Sequence, residues 1–322
     1  MHFQKSTPLK SKITYYILCL FVLLINKIHS QENLFNNEIT IISDNDAYLL
    51  VSQDQYYTNG IDLSYSFGLS KSIENTKPKI VSISLNHQIH SSRRYMYEDK
   101  LFWDTPTVGY LSLKGVLTKI INEKSFINYN VELAQTGPNA QGKEVQKLIH
   151  SLFNMYNVKS WQNELPNKLG VNLGFNYHHE LFTNSNRNLE LSGFSQTTIG
   201  SLITNTSLGI SIRLGKIKKM DASVFSKANL VSNETNNEFF VTYEPSIYYQ
   251  LKNFTNGDSY VYESNIKRTN HIEPFYFKHS LGITYAKNRS LLKFSLIQYT
   301  QQIKKLDRKF HQYGQISFGY RF

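Results

Sequence analysis

Hydrophobic and polar residues alternate along most of this chain. Ile61, Leu63, Tyr65 and Phe67 alternate with Asp62, Ser64, Ser66 and Gly68. The same period recurs at Val81-Ile83-Leu85, Ile127-Tyr129-Val131-Leu133 and Val171-Leu173-Phe175-Tyr177, and in the closing run Ile316-Phe318-Tyr320-Phe322. A period of two is the signature of a strand with one apolar face. About twelve such segments are predicted, near 37–43, 58–69, 78–89, 107–118, 124–136, 168–181, 187–199, 203–215, 236–251, 274–287, 290–303 and 311–322. An even number of strands of this length fits an all-β, transmembrane antiparallel barrel. The small polar residues on the second face predict a lumen packed with side chains rather than a wide pore.

Two stretches break the pattern. Residues 252–273 are polar and predict a long loop. Residues 137–166 begin with the strand breaker Gly137-Pro138 and carry a short helical pattern, with Glu144 favourably placed near the helix N-terminus. Val145, Leu148 and Ile149 form an apolar stripe at helical spacing. Gln146 and His150 are four residues apart and share one helix face.

The N-terminus adds an export reading. Lys5, Lys10 and Lys12 precede an apolar run at Tyr15–Ile25, too short to span a bilayer, and residues 1–30 are predicted to be a signal peptide. The barrel domain is then 31–322. The only cysteine, Cys19, lies in the leader, so a mature chain has no disulfide and no thiolate metal site. Removing Lys5, Lys10, Lys12 and Lys27 lowers the formal charge from +11 to +7. A basic exported protein suits an anionic partner such as lipopolysaccharide or phospholipid headgroups. With export and no Lys/Arg-rich run, nucleic acid is not expected. An aromatic at the end of an alternating run, Phe322, predicts delivery to the outer membrane by the barrel-assembly machinery.

Four clusters carry candidate chemistry. Ser43-Asp44-Asn45-Asp46 ends the first strand, and Asp54-Gln55-Tyr56-Tyr57-Thr58-Asn59-Gly60 leads into the second. Asp104-Thr105-Pro106-Thr107-Val108-Gly109 precedes another strand. Each reads equally as a turn, because Asp and Asn bond their own backbone and Asn-Gly marks hairpins. The fourth is the helix ending at His150, a side chain that takes a proton near neutral pH or simply packs at a helix end.

Taken in order, these pieces resemble the lipid A 3′-O-deacylase (LpxR-type) family of outer-membrane barrels. The chain supplies Asn45-Asp46, then Asp54 with Tyr57-Thr58-Asn59-Gly60, then Asp104, Pro106 and Gly109. The helical motif is present in full as Gly137, Pro138, Gly142, Gln146 and His150, followed by Trp161. Gly200, Thr204, Leu208-Gly209, Arg213 and Gly215 resemble a later family segment.

The resemblance implies a twelve-stranded barrel with its site at the extracellular mouth, and a monomer is expected. It implies calcium-dependent hydrolysis of the ester-linked 3′-acyloxyacyl group of lipid A. By position, His150 would be the general base, Asn45 and Asp46 would organise the site and its metal, and Thr58 and Gln146 would position groups and stabilise the oxyanion. Asp46 is the candidate metal ligand, since calcium prefers carboxylate and amide oxygens. The chain departs from the family pattern at Gln55, Thr105, Thr107, Val108, Ser160 and Glu164. A family lysine has its nearest counterparts in Arg93 and Arg94, candidates for binding a lipid A phosphate. Two other readings stand beside this one: a phospholipase-like esterase of the same architecture, and a non-enzymatic channel or adhesin.

Overall fold

The computed structural model describes residues 36–49, 56–70, 77–97, 100–152, 160–232, 234, 237–257, 271–304, 306 and 309–322. The leader therefore lies outside the described residues. The strands are β1 (Asn37–Asn45), β2 (Tyr56–Ser70), β3 (Lys79–Ser91), β4 (Arg94–Tyr97), β5 (Lys100–Trp103), β6 (Val108–Asn122) and β7 (Ser125–Thr136). After the single α-helix of the described residues, α1 (Gly142–Leu152), follow β8 (Lys168–Thr183), β9 (Leu189–Gly200), β10 (Ile203–Lys216) and β11 (Asn237–Asn253). The last are β12 (Phe275–Lys287), β13 (Ser290–Thr300) and β14 (Phe310–Arg321). Twelve strands close into an antiparallel barrel in the order β1-β14-β13-β12-β11-β10-β9-β8-β7-β6-β3-β2. They coincide with the twelve predicted segments. The ribbon β4–β5, inserted between β3 and β6, was not predicted.

Register explains the two faces. Ile39 and Ile41 on β1 lie opposite Tyr65 and Leu63 on β2, and Ile83 and Leu85 continue that row on β3. All are exposed and form the apolar outer belt. The intervening positions point inward, and many are small hydroxyls, such as Ser66 and Ser82, whose oxygens lie 2.7 Å apart. No helix among the described residues is long and apolar enough to cross a membrane. Two polar cavities of about 260 and 310 Å³ remain inside the barrel and share Tyr248, Lys278 and Tyr313.

The two ends of the barrel differ. One end carries the short hairpins β6–β7, β8–β9 and β12–β13, and there Asn37 and Phe322 exchange backbone hydrogen bonds of 3.2 and 3.0 Å. The segment between β10 and β11 folds back into the lumen at this end. Met220, Leu230 and Val231 pack on the inward-facing Ile80, Ile120 and Phe126. Glu238 accepts from the Lys218 and Val224 backbone amides and the Ser223 hydroxyl, at 3.1, 2.7 and 2.8 Å. Lys227 Nζ reaches Ser66 Oγ at 2.7 Å, and Arg321 donates to the Asn229 carbonyl at 3.2 Å. The segment is thus tied to β1, β2, β11 and β14 and seals this end. The opposite end carries the longer connections, including α1.

Candidate functional site

Helix α1 begins where the chain leaves β7. Gly137 holds φ at +78°, and a Cβ there would lie 2.6 Å from the Pro166 carbonyl carbon, so only glycine fits. Pro138–Ala140 form a 3₁₀ turn, and the helix follows from Gly142. Its docking face is unexpected. Gly142, Gln146 and His150 are the buried positions, while Leu148 of the apolar stripe is 59% exposed and Leu152 is exposed too. Val145 and Ile149 of the stripe are half-buried at the edges of the packed face, and the face that packs most deeply is the polar one.

That face packs against the outside of the wall. The outward row Ile83, Leu85 on β3 continues to His87 and Ile89, which lie opposite Ile61 and Asn59 of β2. His87 Nε2 meets the Ala140 carbonyl at 2.9 Å, and Ile89 is buried although it belongs to the outward row. On β6, outward-facing Gly109 lies opposite Ile89. A Cβ on Gly109 would come 2.9 Å from the Gly142 nitrogen, and one on Gly142 would meet Gly109 Cα at 2.7 Å and Trp161 Cη2 at 2.5 Å. Two glycines therefore let the helix lie directly on the wall.

The other predicted residues gather beside it on the same outer surface. A bulge in β2 between Tyr57 and Asn59 displaces Thr58, which is fully buried. Its hydroxyl donates to the Ile89 carbonyl at 3.1 Å and lies 3.4 Å from Ser91 Oγ. Asn45 of β1 pairs with Asn59 in the outward register, its amide nitrogen donates to the Asn59 side chain, and its Oδ1 accepts from Ala47 at 2.7 Å. Asp46 follows in a 3₁₀ turn, Asp46–Leu49, and is buried. Adjacent strands are about 4.8 Å apart, so the β1-to-β3 arc spans roughly 10 Å of wall. Sequence reasoning did not pick out His87 or Ser91. The available signal was a polar residue in an otherwise apolar outward row.

Gln146 is 1% exposed and accepts a 2.7 Å hydrogen bond from Trp161 Nε1 on its Oε1, while its Nε2 has no hydrogen-bond partner among the described residues. His150 is also buried, one turn further along. Asp104 is a latch: it accepts from Tyr56 OH at 2.8 Å and from the Arg93 backbone amide at 2.7 Å, and its own amide donates to the Arg93 carbonyl. Burial nonetheless holds its carboxyl above the usual range. Arg93 therefore sits by backbone pairing at the foot of the β4–β5 ribbon; Arg94 opens that ribbon, and its side chain lies outside the described residues. Glu164, paired with Thr107 in a short parallel bridge, is pushed up to about 7 by burial and by the Glu144 carboxylate. Arg213 is not near the site. It points into the lumen and forms a fully buried pair with Glu190, Nε to Oε1 3.0 Å, at the sealed end.

For a metal, no group of three or more His, Cys, Asp or Glu gathers among the described residues. Asp46, a buried carboxylate, and its neighbour Asn45 are hard oxygen donors of the kind calcium takes. They supply a single carboxylate, so water or substrate oxygens would complete the shell.

Comparison with known proteins agrees with the fold. The model of the family described as outer membrane protein LpxR matches residues 16–322. The chain belongs to that family. Its fold matches the structure of LpxR from Salmonella typhimurium with a TM-score of 0.72 at 16% identity, covering 88% of this chain and all of that one. The β domain of the Bordetella autotransporter BrkA matches at a TM-score of 0.47 and 10% identity, over 90% of this chain and 99% of that one. No curated protein sequence matches the chain.

Proposed function

We propose that this LpxR-family protein is an outer-membrane esterase that removes the 3′-linked acyloxyacyl group of lipid A, with His150 as general base. The observation that carries the reading is the position of the polar cluster. Asn45, Thr58, Asn59, His87 and Ser91 lie on the outer surface of the wall, in or beside the apolar row, and α1 covers part of that surface with Gln146 and His150 turned inward. A site that served solutes in the lumen would face inward. One on the bilayer side admits a substrate already resident in the membrane, without lifting its acyl chains into water. The exposed Leu148 and Leu152 of α1 suit the same location.

The chemistry follows from the residue types. His150 takes a proton from water, and the resulting hydroxide attacks the ester carbonyl carbon. Negative charge develops on the carbonyl oxygen, where the Gln146 Nε2 supplies a donor, while Thr58, whose hydroxyl is given to the Ile89 carbonyl, acts as a positioning group. Collapse breaks the bond to the 3-oxygen of the glucosamine, which takes the proton from His150 and leaves as the alcohol. Asp46 and Asn45 would hold calcium, whose positive charge would polarise the carbonyl. Arg93 and Arg94, at the foot of the ribbon, would bind a lipid A phosphate.

The end carrying α1 is assigned to the extracellular side, because barrels keep short turns in the periplasm and long loops outside. With all twelve strands paired and no free edge, the protein is read as a monomer, and Phe322 as the assembly signal. The sealed end stands against a conducting channel.

The test is mass spectrometry of lipid A from cells expressing the wild type or His150→Ala, with and without calcium chelation. Loss of the 3′ acyloxyacyl mass in the wild type only, reversed by chelation, is expected. An unchanged spectrum with an inserted, heat-modifiable barrel overturns the reading, and fatty acid released from phospholipid instead would select a phospholipase-like esterase.

A further inference from the structure

We propose that Trp161 is a positioning residue that fixes which way the Gln146 amide faces. The inference rests on the hydrolase reading for its catalytic consequence, but its geometry stands separately. An indole N–H is a donor only, so the amide can meet it only through oxygen. The 2.7 Å contact from Trp161 Nε1 to Gln146 Oε1 therefore sets the amide rotamer and turns Nε2 away from the indole. That Nε2 is buried with no partner among the described residues, a state that costs free energy until an acceptor arrives. A developing oxyanion is such an acceptor. Without the indole, the amide can rotate by half a turn and present oxygen to the same point, where it would repel the charge it is meant to stabilise.

Trp161 is itself held by the wall. Thr107 donates its amide to the Asn163 carbonyl at 2.9 Å and accepts from the Leu165 amide at 3.0 Å, and its hydroxyl donates to the Ser160 carbonyl at 3.0 Å. The Thr107 hydroxyl also lies 2.8 Å from Ser92 Oγ. Segment 160–165 is thus bonded to the base of β6, and the Trp161 ring edge lies against Gly142, one helical turn before Gln146. The orientation of the donor is set from the barrel, across the interface, rather than by the helix alone.

Two arms test this. The chain has two tryptophans, so the Trp161 indole N–H gives one of two indole signals in a detergent NMR spectrum. In the wild type it should exchange slowly with solvent, and Gln146→Leu should shift it and speed its exchange. An indole signal indifferent to Gln146→Leu overturns the proposal whether or not the protein is active. In the kinetic arm, Trp161→Phe keeps the ring and removes the donor. It should lower kcat about tenfold with KM unchanged, the scale of one lost hydrogen bond. The same change made in Gln146→Ala should cost nothing further. An equal loss in both backgrounds, or a rise in KM alone, overturns the proposal. A wild type that inserts but leaves lipid A intact refutes the hydrolase reading, and the spectroscopic arm still decides the orientation.

Discussion

The two ends of this barrel differ in how their buried acids and amides are met. At the sealed end the buried acids are matched: Glu190 meets Arg213, which lies 4.4 Å over the Phe225 ring, and Glu238 accepts three hydrogen bonds, although His178 Nε2 and Arg321 Nε there have no partner among the described residues. At the other end, under α1, the Gln146 Nε2 donor and Glu164 Oε1 are buried without partners among the described residues. Matched groups hold a shape. Unmatched ones cost stability and are retained where something else is to bind. The contrast is therefore between an ion-paired packing segment at one end and an unpaired amide donor beside a helix at the other.

Substitutions at each end should separate the two roles. The largest effect is expected from His150→Ala, which should cut lipid A hydrolysis by about 10² to 10⁴-fold while leaving the heat-shifted barrel band on a gel unchanged. Glu190→Gln should do the reverse. It leaves the Arg213 cation buried and unpaired, at a cost of about 3–5 kcal/mol in denaturant unfolding, with turnover preserved in the protein that stays folded. Comparable losses in both assays for either variant would dissolve the distinction between the ends.

Gly142→Ala is intermediate. Its methyl group would press on Trp161 and on the Gly109 backbone, costing about 1–3 kcal/mol of helix docking. Limited proteolysis should cut the α1 region faster, and activity should fall, with the barrel intact.

Glu164→Gln is the smallest. The folded protein holds this carboxyl up to about 7, above its ordinary value near 4.5, because burial and Glu144 disfavour the charge. Docking of this segment is then most stable below the unfolded value and weakens as pH rises towards 7. The variant should match the wild type in protease resistance at pH 4.5 and exceed it at pH 8. A wild type whose resistance does not change over that range would show that Glu164 is not strained by its neighbours.

Much of the architecture was legible from alternation alone, because the side-chain period of a strand is fixed by backbone geometry and a bilayer enforces it over every crossing. All twelve barrel strands were anticipated, and the breaker Gly137-Pro138 marked where the chain leaves the wall. The β4–β5 ribbon was not foreseen, since four-residue strands give too short a run to show a period. The lumen-sealing segment 217–232 was missed for a different reason: its apolar residues follow no period, and its burial depends on Ile80, Ile120 and Phe126, far away in sequence. Of the site, Gln146 and His150 could be placed on one helix face from spacing. Which face docks could not, because the most deeply buried positions, Gly142, Gln146 and His150, are the polar ones, while Leu148 of the apolar stripe is left exposed: in a membrane an apolar side chain is satisfied by lipid and a polar one must be covered.

The sequence by itself determined the strand count, the alternation of faces, the helix and the order of the motifs, because each depends on local period or local turn chemistry. Only the tertiary structure decided that the site lies outside the wall rather than in the lumen. Two glycines, Gly109 and Gly142, more than thirty residues apart, make that contact possible, and Thr107 and Trp161 hold it in place. Close approach between distant backbones is a property of the closed barrel, and no local stretch of the chain encodes it.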